Sequence, residues 1–309
     1  MRRIRITPNI EYLEPEGKRK LYACSGLAVS GRVKVVIDGN PGKNQTRDFL
    51  LEFDPDIALV SHYHPDHSAW CSQVLEHTKA ELMIPNGEEL YFKSLDHLVS
   101  HTATDKAMEN LMRDFARNFL SYREIETFIT YDSPCSFILG DISLECIRTP
   151  GHSPGHTSFY LPGQKILFAS DMGVDRLGPW YGWRDCSIEA TIESILMLKS
   201  LEVKILLTSH GGIVTRDIDQ CWDRALLHIL EREQRIVLAL EKGKTREEII
   251  EEGVCYPKKG KVKEPVKSFF IMWDSVMFDL HAKILETTSL STLFPCLRTI
   301  ASTYSGLNA

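Results

Sequence analysis

Apolar residues along this chain recur at two periods, and the changes between them outline its elements. In residues 1–40 the period is two: Ile4 and Ile6, then Leu21 to Val29, then Val33-Lys34-Val35-Val36-Ile37, which stops on Asp38-Gly39-Asn40-Pro41-Gly42. Alternation predicts strands, and a stop on Asp-Gly and Pro-Gly predicts a tight turn, because these residues take the backbone angles of a reversal without strain. Thr46 to Phe53 reads as a short helix broken by Pro55, and the apolar run Ile57-Ala58-Leu59-Val60 as a buried strand. A helix is expected over Ala69 to His77 and a short strand over Ala80 to Ile84, closed by Pro85-Asn86-Gly87.

From 88 to 130 the period becomes helical, with Leu111, Phe115 and Phe119 in one line and Met108 and Met112 beside them. This reads as an inserted helical segment that either covers the functional site or pads one face of a sheet. Alternation returns from Phe137 to Cys146 around a turn at Gly140-Asp141, then in Ser158 to Leu161 and Lys165 to Asp171, which flank a Pro162-Gly163 turn. An amphipathic helix from about Ser187 to Leu201 leads to the strand Ile205-Leu206-Leu207-Thr208. Beyond 215 only helices are expected. The first carries Trp222, Leu226, Ile229, Ile236 and Leu240; a short second starts on the capping box Thr245-Arg246-Glu247-Glu248; the third carries Phe269, Trp273, Met277, Leu280 and Ile284. The last 20 or so residues have no clear period and read as a docked or frayed tail.

Composition narrows this picture. With 309 residues, 43% apolar and 25% charged, the chain can bury a full core, divided here into 1–215 and a helical extension, 216–309. A formal charge of −6 gives no overall attraction to nucleic acid or anionic lipid. The basic start Met1-Arg2-Arg3-Ile4-Arg5 has no apolar stretch of signal-peptide length behind it, and no run of about 18 apolar residues occurs. A cytoplasmic protein with no membrane partner is expected. Eight scattered cysteines without a CxxC pair fit reduced thiols rather than a disulfide framework.

The chemistry gathers at strand ends. Ser61-His62-Tyr63-His64-Pro65-Asp66-His67 follows the strand 57–60 and offers four metal ligands within six residues. In extended chain His62 and His64 point to one side, while Asp66 and His67 lie far enough along to hold a second cation. His152 follows a later strand in Thr149-Pro150-Gly151-His152-Ser153-Pro154-Gly155-His156-Thr157, Asp171 ends the strand 165–171, and His210 follows 205–208 in Ser209-His210-Gly211-Gly212. Each later histidine alone is weak, but together, all at strand ends, they predict a metal centre. His97 and His101 sit one helical turn apart with no acidic or thiol neighbour, so no third site is expected.

The HxHxDH loop, TPGHSPGHT, FASD and SHGG together resemble the metal motifs of the metallo-β-lactamase superfamily, in its glyoxalase II-like branch. The resemblance spans roughly residues 1–215 and implies an α+β fold: an αββα sandwich with the metals at one edge. It assigns His62, His64 and His152 to a first divalent cation, Asp66, His67 and His210 to a second, and Asp171 to a bridge between them. His156 and Asp38 become supporting residues behind the ligands. Zinc is the metal expected, with iron or manganese as alternatives. Two departures stand out: Ser170 where relatives have Gly, and Thr208-Ser209 where they have Pro-Gly.

The activity this implies is hydrolysis of a small-molecule ester, thioester or lactone by a water acidified between two cations, with Asp66 also accepting a proton. Trp180, Tyr181 and Trp183, about ten residues past the bridging acid, are candidate walls of the substrate pocket. Three rival readings remain. One is an RNA or phosphodiester hydrolase, supported by Lys258, Lys259, Lys261, Lys263 and Lys267. The others are a mononuclear iron enzyme like the persulfide dioxygenases and a non-catalytic, metal-bearing regulator. A homodimer is left open.

Overall fold

The carboxyl ends of the parallel strands set the whole architecture. The computed structural model describes residues 1–16, 23–257 and 261–305. Among them, one sheet runs in simple sequence order through β1 (Arg2–Thr7), β2 (Ile10–Glu14), β3 (Gly26–Ser30), β4 (Lys34–Ile37), β5 (Ile57–Leu59), β6 (Glu81–Pro85) and β7 (Ile129–Tyr131). Its first four strands form an antiparallel meander, and β4 to β7 are parallel. Parallel neighbours need crossovers, which are helical: α1 (Lys43–Phe53), then α2 (Pro65–Ser68) with α3 (Cys71–His77), then α4 (Glu89–Lys93), α5 (Leu95–Thr102) and α6 (Lys106–Asn118).

The second sheet holds β8 (Cys135–Ile138), β9 (Ser143–Arg148), β10 (Thr157–Leu161), β11 (Ile166–Phe168), β12 (Ile205–Thr208) and β13 (Gly212–Val214), with α7 (Ile188–Lys199) crossing from β11 to the parallel β12. Since β10 is antiparallel to both β9 and β11, the strands β9, β11 and β12 all end at the same edge. Between the sheets Tyr12, Leu27, Ile37 and Leu59 meet Phe159, Phe168 and Leu207 in one buried core. On the outer faces, Val36 and Ala58 join Phe49, Leu50 and Trp70, while Leu167 and Leu206 join Ile188, Ile192 and Ile195. The alternation within β4, Val35 and Ile37 inward and Val36 outward, is what lets a four-residue strand serve both layers. Helices cover both outer faces, so the layers are the expected αββα.

The extension is α8 (Ile218–Glu241), α9 (Arg246–Glu252), α10 (Val266–Leu285), α11 (Leu290–Leu293) and α12 (Cys296–Ser305). Thr245 caps α9 with the reciprocal box expected. Trp222, Leu226, Ile229 and Met277 share the same buried cluster as the helices of the first 215 residues, so the extension has no separate core of its own. Among the described residues, no helix is long and apolar enough to cross a membrane.

Several elements depart from expectation. β2 is a further strand, whose Glu11 and Glu14 pair across the meander with Arg3 and Arg2. That charge pairing is invisible along the chain. Leu21 and Tyr22 lie outside the described residues, and β3 begins only at Gly26. The tail forms α11 and α12, docked through buried Leu290 and Leu297 and through a hydrogen bond from the Leu290 amide to Glu233 on α8. Ordinary packing, not periodicity, holds it.

Candidate metal centre

The loop after β5 is extended only as far as His64. Pro65, with its fixed φ, starts the helical turn α2, which swings Asp66 and His67 away from the line of His62 and His64. Tyr63 confirms the alternation: its ring points into the helical layer, stacked at 3.9 Å on Tyr91, and its hydroxyl donates to Asp185 at 2.6 Å. His62 and His64 therefore face the sheet edge together, where β9 delivers His152, β11 delivers Asp171 and β12 delivers His210. The loops they occupy are tightly packed. Gly151 has φ +127°, and a Cβ there would stand 2.3 Å from the Thr191 amide on α7.

Two clusters of donors result: His62, His64 and His152, and beside them Asp66, His67, Asp171 and His210. The Asp171 carboxylate faces both, with Oδ2 at 3.4 Å from the Nε2 atoms of His152 and of His210, and Oδ1 at 3.2 Å from His67 Nε2. Asp66 Oδ2 stands 3.2 Å from His210 Nε2 and 3.7 Å from His67 Nε2, and His152 Nε2 lies 3.0 Å from His64 Nδ1. Donors bound at about 2.0–2.1 Å in a tetrahedron sit about 3.3 Å apart, so these spacings are those of coordination edges. Further, His62 Nε2, His67 Nε2 and Asp171 Oδ1 are buried with no hydrogen-bond partner among the described residues beyond the 3.2 Å ion pair of the last two. Buried polar atoms are rarely left so, and the donor set fits two divalent cations.

Residues behind the ligands orient them. Asp38 Oδ2 accepts from His67 Nδ1 at 3.0 Å, and Asp38 Oδ1 from the Ser61 amide at 2.9 Å. Ser61 Oγ bonds His62 Nδ1 at 2.9 Å, and the Trp180 carbonyl accepts from His152 Nδ1 at 2.9 Å. Each of these bonds ties up Nδ1 and leaves Nε2 for a cation. His156, the other histidine of its loop, is buried; its Nε2 accepts the Asp171 amide at 3.3 Å and so holds Asp171 from behind.

The departures at 170 and 208–209 build a hydroxyl cluster under the loop. Ser170, at φ +48°, places Oγ 2.8 Å from Ser61 Oγ and 3.3 Å from Ser209 Oγ. Thr208 Oγ1 accepts the Gly211 amide at 2.8 Å, shaping the turn that presents His210.

Electrostatics divides the clusters. Burial lowers His62, His64 and His152 below the usual histidine range, so their lone pairs are available. Burial acts on His67 and His210 too, but it is outweighed, at His67 by Cys24, Asp171, Asp38 and Asp66 and at His210 by Asp171 and Asp66, and both are raised. Burial of Asp66 and Asp171 is likewise outweighed by His67 and His210, and both carboxyls are lowered. The second cluster thus concentrates negative charge that protons balance where a cation would otherwise do so.

The edge opens into a cavity of about 530 Å³. Trp180 and Trp183 line it, but Tyr181 does not. The Tyr181 ring is fully buried beneath the Arg232 guanidinium at 5.1 Å, with its hydroxyl on His281 Nε2 at 3.0 Å. The contacts explain the correction: Arg232 and His281, both from the C-terminal helices, hold the Tyr181 ring on the side away from the cavity. The inserted helices do border the site, through Leu98, Met112 and Phe115, and α10 adds Phe269 and Trp273. Sequence reasoning missed these last two, and also Glu88, whose Oε1 accepts Ser153 Oγ at 2.6 Å and the Gly155 amide at 2.8 Å. An acid just past a strand-ending Pro-Asn-Gly was the one signal available. Lys261, Lys263 and Lys267 are absent from the cavity lining, and Lys258 and Lys259 lie outside the described residues. The His97 and His101 rings stack on one another at 3.8 Å, and neither belongs to a donor cluster.

Two helix-flanked sheets with adjoining histidine and aspartate clusters at one edge define a class, the αββα metal-binding sandwich. Residues 25–210 match the Metallo-beta-lactamase superfamily, and the chain belongs to it. A hydroxyacylglutathione hydrolase of Mesorhizobium japonicum is 24% identical over 151 residues, 48% of this chain and 44% of that enzyme, in keeping with the glyoxalase II-like branch. The chain thus spans less than half of that relative. The metallo-beta-lactamase fold-containing protein ST1585 of Sulfurisphaera tokodaii is 24% identical over 201 residues, 60% of this chain and 72% of its own. In three dimensions, the metallo-beta-lactamase family protein TTHA1429 of Thermus thermophilus superposes with a TM-score of 0.68 at 18% identity, covering 91% of this chain and 95% of that one.

Proposed function

We propose that this chain is a metal-dependent hydrolase that cleaves an ester, thioester or lactone bond in a small molecule. The observation that carries the proposal is the pair of adjoining histidine and aspartate clusters beside a cavity, with His62 Nε2, His67 Nε2 and Asp171 Oδ1 buried and without hydrogen-bond partners among the described residues. His62, His64 and His152 would hold one divalent cation, Asp66, His67 and His210 the other, and Asp171 both. Zinc suits these nitrogen and carboxylate donors. When bound, such a pair acidifies a shared water and polarises a carbonyl oxygen, so no Ser or Cys nucleophile is needed.

The protein's part is to hold these groups still and dry. Asp66 is the one acid of the set that reaches the cavity from the loop, at 3.2 Å from His210, where it can take up a proton during turnover. Trp180 and Trp183 close the side next to His64, with ring centroids 5.4 and 4.1 Å from its own, and exclude water there. The name of the Mesorhizobium relative, a hydrolase of an acylated thiol, supports the bond type. The free state of all eight cysteines supports a reducing compartment such as the cytoplasm.

Elemental analysis of protein purified without added metal, with a hydrolase panel of thioesters, lactones and phosphodiesters, tests the reading. Two metals per chain and ester-type turnover, lost on chelation and restored by zinc, are expected. A metal content near zero, or turnover confined to phosphodiesters, would overturn it.

A further inference from the structure

The metal edge says which bond is cut; the rest of the cavity says what carries that bond. Its lining contains no lysine and no arginine among the described residues. The charged groups in it are Asp66 and Asp171 at the metal edge and Asp175, whose Oδ1 is already engaged by the Leu177 amide at 2.7 Å. Away from that edge the wall is aromatic and continuous. His64 abuts Trp183 and Trp180, Trp180 meets Trp273 at 5.5 Å, Trp273 meets Phe269 at 5.9 Å, and Phe269 meets Phe115 at 4.9 Å. Aromatic faces accept other aromatic or apolar groups and leave an anion unsolvated. The indole Nε1 atoms of Trp183 and Trp273 are buried without an acceptor among the described residues. Such a wall presents ring faces and no cation.

Resting on the hydrolase reading, we infer that the substrate is uncharged over the part remote from the scissile bond and carries an aryl group there. A thioester or ester whose remote end bears carboxylates or phosphates would find no counter-charge on these walls. The volume, about 530 Å³, is that of pockets for drug-sized ligands and exceeds what an acetyl group needs. The wall is built from α6, α10 and the 180–183 loop, so selectivity resides in the inserted helices, that loop and the C-terminal extension.

Three 4-nitrophenyl esters with one leaving group and one chain length test this on the metal-loaded, full-length protein: 5-phenylpentanoate, the glutarate monoester and 5-(trimethylammonio)pentanoate. We expect kcat/KM for the phenyl ester to exceed that of the carboxylate ester at least about 100-fold and that of the ammonium ester at least about tenfold. Trp273→Ala, and independently Phe115→Ala, should shrink the phenyl-to-carboxylate ratio about tenfold, with metal content retained. Equal rates for the carboxylate ester overturn the inference. Preference for the ammonium ester, drawn by Asp175 and the rings, overturns it as well. If no ester is turned over, the hydrolase reading fails, and the corresponding amides still decide the pocket through quenching of tryptophan fluorescence. Quenching by the phenyl amide alone upholds the inference; equal quenching by the charged amides, or none by any, overturns it.

Discussion

The inner and outer walls of the cavity are built on opposite principles. The inner wall consists of strand ends, where seven candidate ligands arrive from four loops with partners behind them, such as Asp38 behind His67 or Trp180 behind His152. The outer wall consists of helices whose residues meet through ring faces and ordinary apolar contact, as Phe115 meets Phe269. A ligand sphere tolerates little displacement, whereas a packed wall accepts many sequences of similar volume. On the proposed reading, chemistry is held rigidly on one side and selectivity set adjustably on the other.

The sharpest way to break this division is at Asp171, which touches both donor clusters. Asp171→Ala should remove the shared acid, lower metal content below two per chain and cut kcat/KM about 1000-fold, several kcal/mol of transition-state stabilisation. Elemental analysis beside steady-state kinetics checks it. Full occupancy with full activity would show that the two clusters do not work as one centre.

A smaller effect is expected one layer back. Asp38→Asn keeps the amide contact to Ser61 but replaces the carboxylate that orients His67 Nδ1. Metal affinity should fall about 10- to 100-fold, measured by competition with a chromophoric chelator, while the far-ultraviolet circular dichroism stays unchanged. Unaltered affinity would demote Asp38 to a folding role.

This gradient also explains what the amino-acid sequence discloses. His62, His64, Asp66 and His67 are legible because ligation demands rare residue types at fixed short spacing, and β5, β11 and β12 because they are apolar runs that end on those residues. Trp273 and Phe269 are illegible as pocket residues, since an aromatic stripe on an amphipathic helix reads the same whether it faces a core or a cavity. Tyr181 escapes a sequence reading for a related reason: loop composition names the aromatic residues without saying which face each takes. The hydroxyl cluster of Ser61, Ser170 and Ser209 joins residues from three loops and has no signature along the chain.

On the outer side the comparison is sharpened by Arg232, a buried residue of α8 that donates to the Pro179 and Leu177 carbonyls and so fastens the 177–181 loop. Arg232→Met should cost about 2 kcal/mol, because two carbonyls lose their donor, and lower Tm by roughly 4 °C. Metal content should stay at the wild-type value and KM should rise. Lost metal would mean that the extension supports the ligands as well as the wall.

The smallest expected effect joins the two walls. Glu88 sits where the inserted segment leaves β6 and grips the loop that carries His152. Burial pushes its carboxyl up to about 8, against the hydrogen bonds from Ser153 and Gly155 and with help from Asp185. A raised carboxyl means that between about pH 4.5 and 8 the folded protein keeps a proton that the unfolded chain has released. Stability contributed by this group is therefore greatest at the acid end of that window and is lost as pH rises through it. Glu88→Gln keeps an acceptor for Ser153 and Gly155 and abolishes the titration, so its Tm should decline less than the wild type's from pH 5 to 8, while the two converge toward the acid end. Thermal melts of the metal-free proteins across that range measure the difference in slope. Parallel curves would show that Glu88 is ionised throughout, and that the clamp between the inserted helices and the ligand loop is a buried anion rather than a neutral acid.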